Sequence, residues 1–231
     1  MNAVKYGDAV HWEEVSGLRM PRRVAGHPAL DFCNTWAGWG APPNPRREWL
    51  PDYEHLAVWT LHAGLVPEDV CEELRRLEER ATEAAAEVLG QAHEFRTALH
   101  AVLHGSSHSA GPEAFATVAA YAERAASASS FVPAVPAQDE GGTDGPVDAP
   151  VARWEIPART GLAMPLLAVA NAAAALMTAP GRARIDACPG DDCGWLFLNP
   201  RGRRRWCSMS SCGNRTKVRA HARRRRGGSR D

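Results

Sequence analysis

The sequence lacks every short signature that would name a chemistry outright. No G-x-G-x-x-G, P-loop, H-E-x-x-H or nucleophile elbow occurs in its 231 residues, which removes the common dinucleotide, nucleotide-hydrolysing, metalloprotease and α/β-hydrolase readings. No apolar h-region follows Met1, so the chain is expected to be neither secreted nor membrane-bound, with its thiols in a reducing cytoplasm. Net charge is absent too, 27 Lys and Arg balancing 27 Asp and Glu. The last forty or so residues hold too little aliphatic side chain to close a core unaided.

The zero charge averages two unlike parts. Residues 181–231 carry 14 Lys and Arg against 4 Asp and Glu, a balance of +10, so residues 1–180 hold 13 against 23, a balance of −10. A basic tail on an acidic body points to a polyanion at one end and a different partner at the other. Lys and Arg that meet phosphates give salt-dependent affinity first, and specificity only through added base contacts.

Four of the six cysteines lie in that basic part, as Cys188-x4-Cys193-x13-Cys207-x4-Cys212. Two short loops rich in turn formers (Pro189 to Asp192; Ser208, Ser210, Ser211) let paired thiolates curl around one ion, the donor set of a structural Zn²⁺. Disulfides are the alternative for clustered thiols, and the reducing compartment disfavours them. Cys33 and Cys71 stand alone and read as small buried hydrophobes. Between the pairs, Trp195 to Leu198 are expected as a short strand with Trp206 on the return strand, forming a small core; base stacking by an exposed Trp is the alternative. Arg203, Arg204 and Arg205 precede Cys207. Arg215, Lys217, Arg219 and Arg223 follow Cys212 on a stretch, 214–226, that no Pro or Gly interrupts. It is expected as a helix lying along duplex DNA, with a solvated charged tail as the alternative for its last residues.

The run from Cys188 to Lys217, through Cys212-Gly213-Asn214-Arg215, resembles the CGNR zinc finger. In that family the finger ends bacterial proteins whose N-terminal region is the ABATE domain, described as a stress-induced transcription regulator. The front of this chain is similar to ABATE through Pro28-Ala-Leu-Asp31-Phe-Cys-Asn34-Thr35 and Tyr53-x2-Leu56-x2-Trp59-x4-Gly64-Leu65. The resemblance implies one structural Zn²⁺ on the four cysteines and DNA binding by the finger. Asn199-Pro200 and the Gly-, Asp- and Pro-rich segment from Gln138 to Pro150 depart from the family pattern. In this motif Gly213 is expected to adopt a backbone angle denied to other residues, and Asn214 to cap the following helix.

The expected architecture is mainly α: a multi-helix N-terminal domain with a few short strands (1–180) and a zinc-bound β-hairpin and helix module (181–231). Apolar spacing predicts helices over 52–63, from Pro67 with a break near Gly90 and resumption through Leu103, over 112–126 and over 162–177. His27, Asp31, Asn34 and Trp36 are candidates to line a small-molecule pocket, with helix capping and backbone bonding as the structural alternative. His100-x3-His104 has metal-ligand spacing but no third ligand, and reads as a solvated face. The leading function is a DNA-binding transcription regulator whose N-terminal domain senses a small molecule, with double-stranded DNA as partner and a homodimer expected because one finger buries little surface. The alternatives are a non-sensing RNA- or DNA-binding module, and an enzyme using Asp31, Asn34 and His27 beside a purely structural zinc.

Overall fold

The computed structural model describes residues 12–39, 47–104, 111–134, 151–179 and 184–219. The predicted loop at 138–150 and Arg223 lie outside these. Helices dominate: α1 (Pro28–Cys33), α2 (Tyr53–His62), α3 (Glu68–Arg80), α4 (Thr82–His104), α5 (Pro112–Ala128) and α6 (Met164–Thr178). The described strands form three separate antiparallel pairs, β1 (Trp12–Val15) with β2 (Leu18–Pro21), β3 (Ser130–Pro133) with β4 (Ala152–Glu155), and β5 (Ile185–Ala187) with β6 (Leu196–Leu198).

Local chemistry explains the boundaries. Asp52 caps α2 by accepting from the His55 N–H at 2.9 Å, and Gly64 (φ +71°) ends it in the left-handed region. The expected break at Gly90 falls instead at Ala81, whose backbone (φ −144°, ψ 52°) leaves the helical region. Gly90 faces solvent inside α4 with open space around its Cα, so it costs only propensity there. Apolar side chains of α1, α2, α4 and α6 meet in one core around Trp59, Phe32 and Phe95, with ring centroids 5.3 and 6.2 Å apart. Cys33 and Cys71 are buried in it, as expected.

Helix α6 sits at the centre of this core. Residues Ala158–Thr178 are long and apolar enough by composition to cross a membrane, but a 3₁₀ turn with Gly161 at φ +57° interrupts them. The 15 residues of α6 proper rise about 22 Å, short of the roughly 30 Å of a bilayer's hydrocarbon, and most are buried against neighbouring helices.

The C-terminal hairpin corrects one expectation. β6 pairs with β5, ahead of the first cysteine pair, and not with the segment around Trp206. Asn199 explains why: its side chain accepts from the Arg204 N–H at 3.0 Å and donates to the Arg204 carbonyl at 2.7 Å, folding 199–204 into a loop that cannot run on as a strand. Leu196 is fully buried in the same core as α1 and α4.

Candidate metal centre

Two loops bring the four cysteines together. The Cys188 N–H donates to the Trp195 carbonyl at 2.8 Å, closing the first loop over Pro189–Gly194, and the Cys193 N–H donates to Gly190 at 3.0 Å. The second pair is joined by a π-helical turn, Met209–Gly213, that runs directly into helical residues 214–219. The four sulfur atoms lie within 4.8 Å of one another and all four residues are buried. Cys193 to Cys207 and Cys207 to Cys212 measure 3.7 and 3.5 Å, against about 3.8 Å for the edge of a tetrahedron built on Zn–S bonds of about 2.3 Å. A disulfide needs about 2.05 Å, so these thiols are free. A Cβ at Gly190 would stand 3.2 Å from the Cys212 sulfur and 3.5 Å from that of Cys188, so a side chain there would press on the cradle.

The electrostatics fit a cation. Hydrogen bonds from the Cys188, Cys193 and Cys207 thiols hold Cys212 far below the ordinary thiol range despite burial, and the Arg215 guanidinium, 3.0 Å from its sulfur, pulls the same way. Bonds from Cys193 and Cys207 bring Cys188 down to about 7, whereas Cys193 and Cys207, bonded to the remaining thiols, are pushed up. Four buried sulfurs competing for shared protons are satisfied together when a divalent ion takes the place of those protons. The four cysteines make the site of one structural zinc.

Both signature residues after Cys212 work differently from expectation. Gly213 does not take a positive φ, and a Cβ there would meet the movable, exposed end of Met209 at 2.9 Å and Trp206 at 3.2 Å, so its place is crowded but not barred to a side chain. Asn214 (φ −66°, ψ −45°) is already helical and exposed, so it is no cap.

The centre is held against the body by residues 24–39. Asn34 donates to the Leu196 carbonyl at 2.9 Å and accepts the Leu196 N–H at 2.8 Å, adding a side-chain rung to β6. The Leu198 N–H reaches the Ala25 carbonyl at 2.8 Å on the same edge. Trp195 Nε1 donates to Trp36 O (2.9 Å), Trp39 Nε1 to Cys33 O (3.1 Å), and the Trp39 N–H to Cys193 O (3.2 Å). His100 is the contact that spacing missed. Expected on a solvated face, it is buried, stacks on Trp39 at 3.8 Å, and gives its Nε2–H to Gly194 O at 2.9 Å. Burial keeps it neutral, pulling its pKa down to about 4. Behind this, Arg96 grips Glu48 with two bonds (2.7 and 2.5 Å) and Thr35 with a third, bracing the 35–39 strap on α4.

The four residues offered for a pocket are thereby accounted for. His27 caps α1, accepting the Ala29 N–H at 3.2 Å; Asp31 accepts the Val24 and Ala25 N–H groups, each at 2.9 Å; Asn34 clamps Leu196; Trp36 receives Trp195. Burial raises Asp31 to about 6, opposed by those two backbone bonds. These residues line the seam between body and finger. The depression the structure does describe elsewhere, about 620 Å³, lies on α2 and α3 and is walled by charged side chains such as Glu54, Arg75 and Glu78.

The basic residues divide. Arg204 points inward to the carbonyls of Val24 (2.7 Å), Trp206 (3.1 Å) and Cys207, over the Phe197 ring at 4.3 Å, so it is a strut of the finger. Arg203, Arg205, Arg215, Lys217 and Arg219 are exposed. Arg205 lies 5.0 Å over Trp206, and Arg219 pairs with exposed Asp191.

A family model for ABATE, described as "putative stress-induced transcription regulator", matches residues 26–180. The chain belongs to the ABATE family. A second model, the CGNR zinc finger, matches residues 184–225 and so takes in all four cysteines. No curated protein matches the chain. In this ABATE protein the family-like run Pro28 to Thr35 is the surface on which the CGNR finger is seated.

Proposed function

We propose that the protein is a cytoplasmic transcription regulator that binds double-stranded DNA through its finger. The observation that carries this reading is the exposed set Arg203, Arg205, Lys217 and Arg219 around the four-cysteine centre. Described finger residues 184–219 hold eight cationic side chains against three acidic ones, which suits a phosphate backbone. The exposed helix that starts at residue 214, and carries Arg215 in its first turn, is the element offered to a groove. A homodimer would give such a small footprint two half-sites.

Regulatory input is best placed at the seam. With His27, Asp31, Asn34 and Trp36 all engaged there, a molecule or partner that moves α1 moves β6 and the metal loops with it. The same engagements weigh against the enzyme reading, which needed Asp31, Asn34 and His27 free for substrate. A binding module without sensing is the second reading, favoured by the charged character of the α2–α3 depression.

The test is duplex-DNA binding by zinc-loaded protein across a salt series. Neutralising Arg203, Arg205 and Lys217 together should weaken binding and lower the slope of log K against log salt by about three. Unchanged affinity in that triple variant, with zinc retained, would refute the assignment of this face.

A further inference from the structure

Tetrathiolate zinc carries a formal charge of −2, and a centre so enclosed needs cationic or N–H partners close to its sulfurs. Among the described residues, one side chain outside the four cysteines donates to a ligand sulfur: Arg215, whose Nη2 lies 3.0 Å from Cys212 Sγ. Arg215 stands three residues after that ligand on the same helical run, and the Thr216 hydroxyl bonds the Cys212 carbonyl at 2.9 Å, so both ends of Cys212 are tied to this turn. Its neighbours behave otherwise. Lys217 has no partner among the described residues, and Arg219, one turn on, reaches Asp191 and no sulfur.

We propose that Arg215 is a positioning residue of the metal centre, holding the Cys212 thiolate by a charge-assisted hydrogen bond, and that retention of zinc depends on it more than on the other exposed cations of the finger. This goes beyond the DNA-binding reading and stands on the zinc site alone. The guanidinium fork suits the task because one N–H can stay on sulfur while the rest of the group faces solvent. It withdraws electron density from Cys212, so that sulfur should be the least nucleophilic of the four in the intact site and gain most when the bond is lost.

The test uses full-length zinc-loaded protein and two readouts, zinc release to a chromophoric chelator and cysteine-by-cysteine alkylation by iodoacetamide followed by mass spectrometry. Arg215→Gln is expected to release zinc roughly tenfold faster, the size usual for loss of an outer-shell partner. Its added alkylation should fall on Cys212 ahead of Cys188, Cys193 and Cys207. Arg219→Gln should match the unmodified protein in both, and Arg215→Lys, which keeps the charge without the fork, should fall between. Zinc release at the unmodified rate from Arg215→Gln overturns the proposal, as does added alkylation spread evenly over the four cysteines, the mark of a loosened finger. Should the glutamine variant not fold, Arg215→Lys decides: raised alkylation confined to Cys212 supports the proposal, and an unmodified pattern overturns it.

Discussion

Replacing Asn34 with Ala should loosen the finger from the body. The Asn34 amide makes two buried hydrogen bonds, to the Leu196 N–H and C=O, and both residues are essentially inaccessible to water. Truncation leaves two backbone groups of a fully buried residue unpaired, at about 1–3 kcal/mol each, so roughly 2–6 kcal/mol together. The cap on α1 is not lost with them, because it is made by the Asn34 backbone N–H to Leu30 and Phe32. For a chain of this size that corresponds to a fall in Tm on the order of 5–15 °C. Asn34→Asp should be at least as damaging, since a carboxylate can accept from the Leu196 N–H but sets a buried charge against the Leu196 carbonyl. The assay is thermal unfolding of zinc-loaded protein followed both by helix signal and by zinc release, with exposed Asn214→Ala as control at under about 0.5 kcal/mol. An Asn34→Ala protein with the control's melting temperature and zinc-release rate would refute the clamp.

Asp31 and His100 should pull stability in opposite directions as pH changes. Asp31 titrates higher in the fold than unfolded, so its contribution is present at low pH and fades as pH rises through about 6; His100 titrates lower, so its contribution is present above the ordinary histidine range and fades as pH falls toward about 4. The two slopes oppose each other between about pH 4 and 6, so Asp31→Asn should expose acid sensitivity and His100→Gln should remove it, each by up to roughly 3 kcal/mol, read from denaturant midpoints over that range. Gly194→Ala should cost about 2–4 kcal/mol, because Gly194 sits at φ +67° and a Cβ would lie 2.7 Å from that of Trp39; an unchanged midpoint would mean that the strap yields. Cys207→Ser should bind no zinc and lose DNA binding with it, and a chelator should reproduce both losses in the unmodified protein. DNA affinity insensitive to chelator would separate the metal from the nucleic-acid face.

How far the sequence could be read follows from the range of each interaction. The helices and the cysteine cluster were legible because their determinants are local: the Asp52 cap, the Gly64 stop, and thiols paired within five residues. The seam was not, because it joins residues about 160 apart. Asp31 and Asn34 did register as polar side chains in an apolar setting, but nothing in their neighbourhood could say whether a ligand or a distant backbone would satisfy them. Asp31 is satisfied by the Val24 and Ala25 N–H groups and Asn34 by Leu196, far along the chain, and none of these carries a pattern of its own. The inward turn of Arg204 was illegible for the same reason: in a run of arginines nothing local separates the one that turns inward onto Val24 from those on either side. The return strand of the finger failed on Asn199, whose two bonds to Arg204 override the alternation that suggested a hairpin around Trp206.

The two family-like stretches of this chain are then best understood as opposite faces of one contact. A finger of some forty residues with so few aliphatic side chains cannot bury enough surface alone, and the structure supplies two substitutes: a metal on one side of the hairpin and the body on the other. Phe197 faces the cysteine cluster, and Leu196, its neighbour on β6, faces the helical core. Alternation along a three-residue strand thus divides the finger's hydrophobic capital between zinc and α1. Either support alone leaves half the hairpin unsatisfied, so metal occupancy and the packing of α1 are linked equilibria: what stabilises one raises the population competent for the other. The same linkage means that a partner which displaces α1 need not touch the cysteines to weaken the centre. It has only to release Leu196.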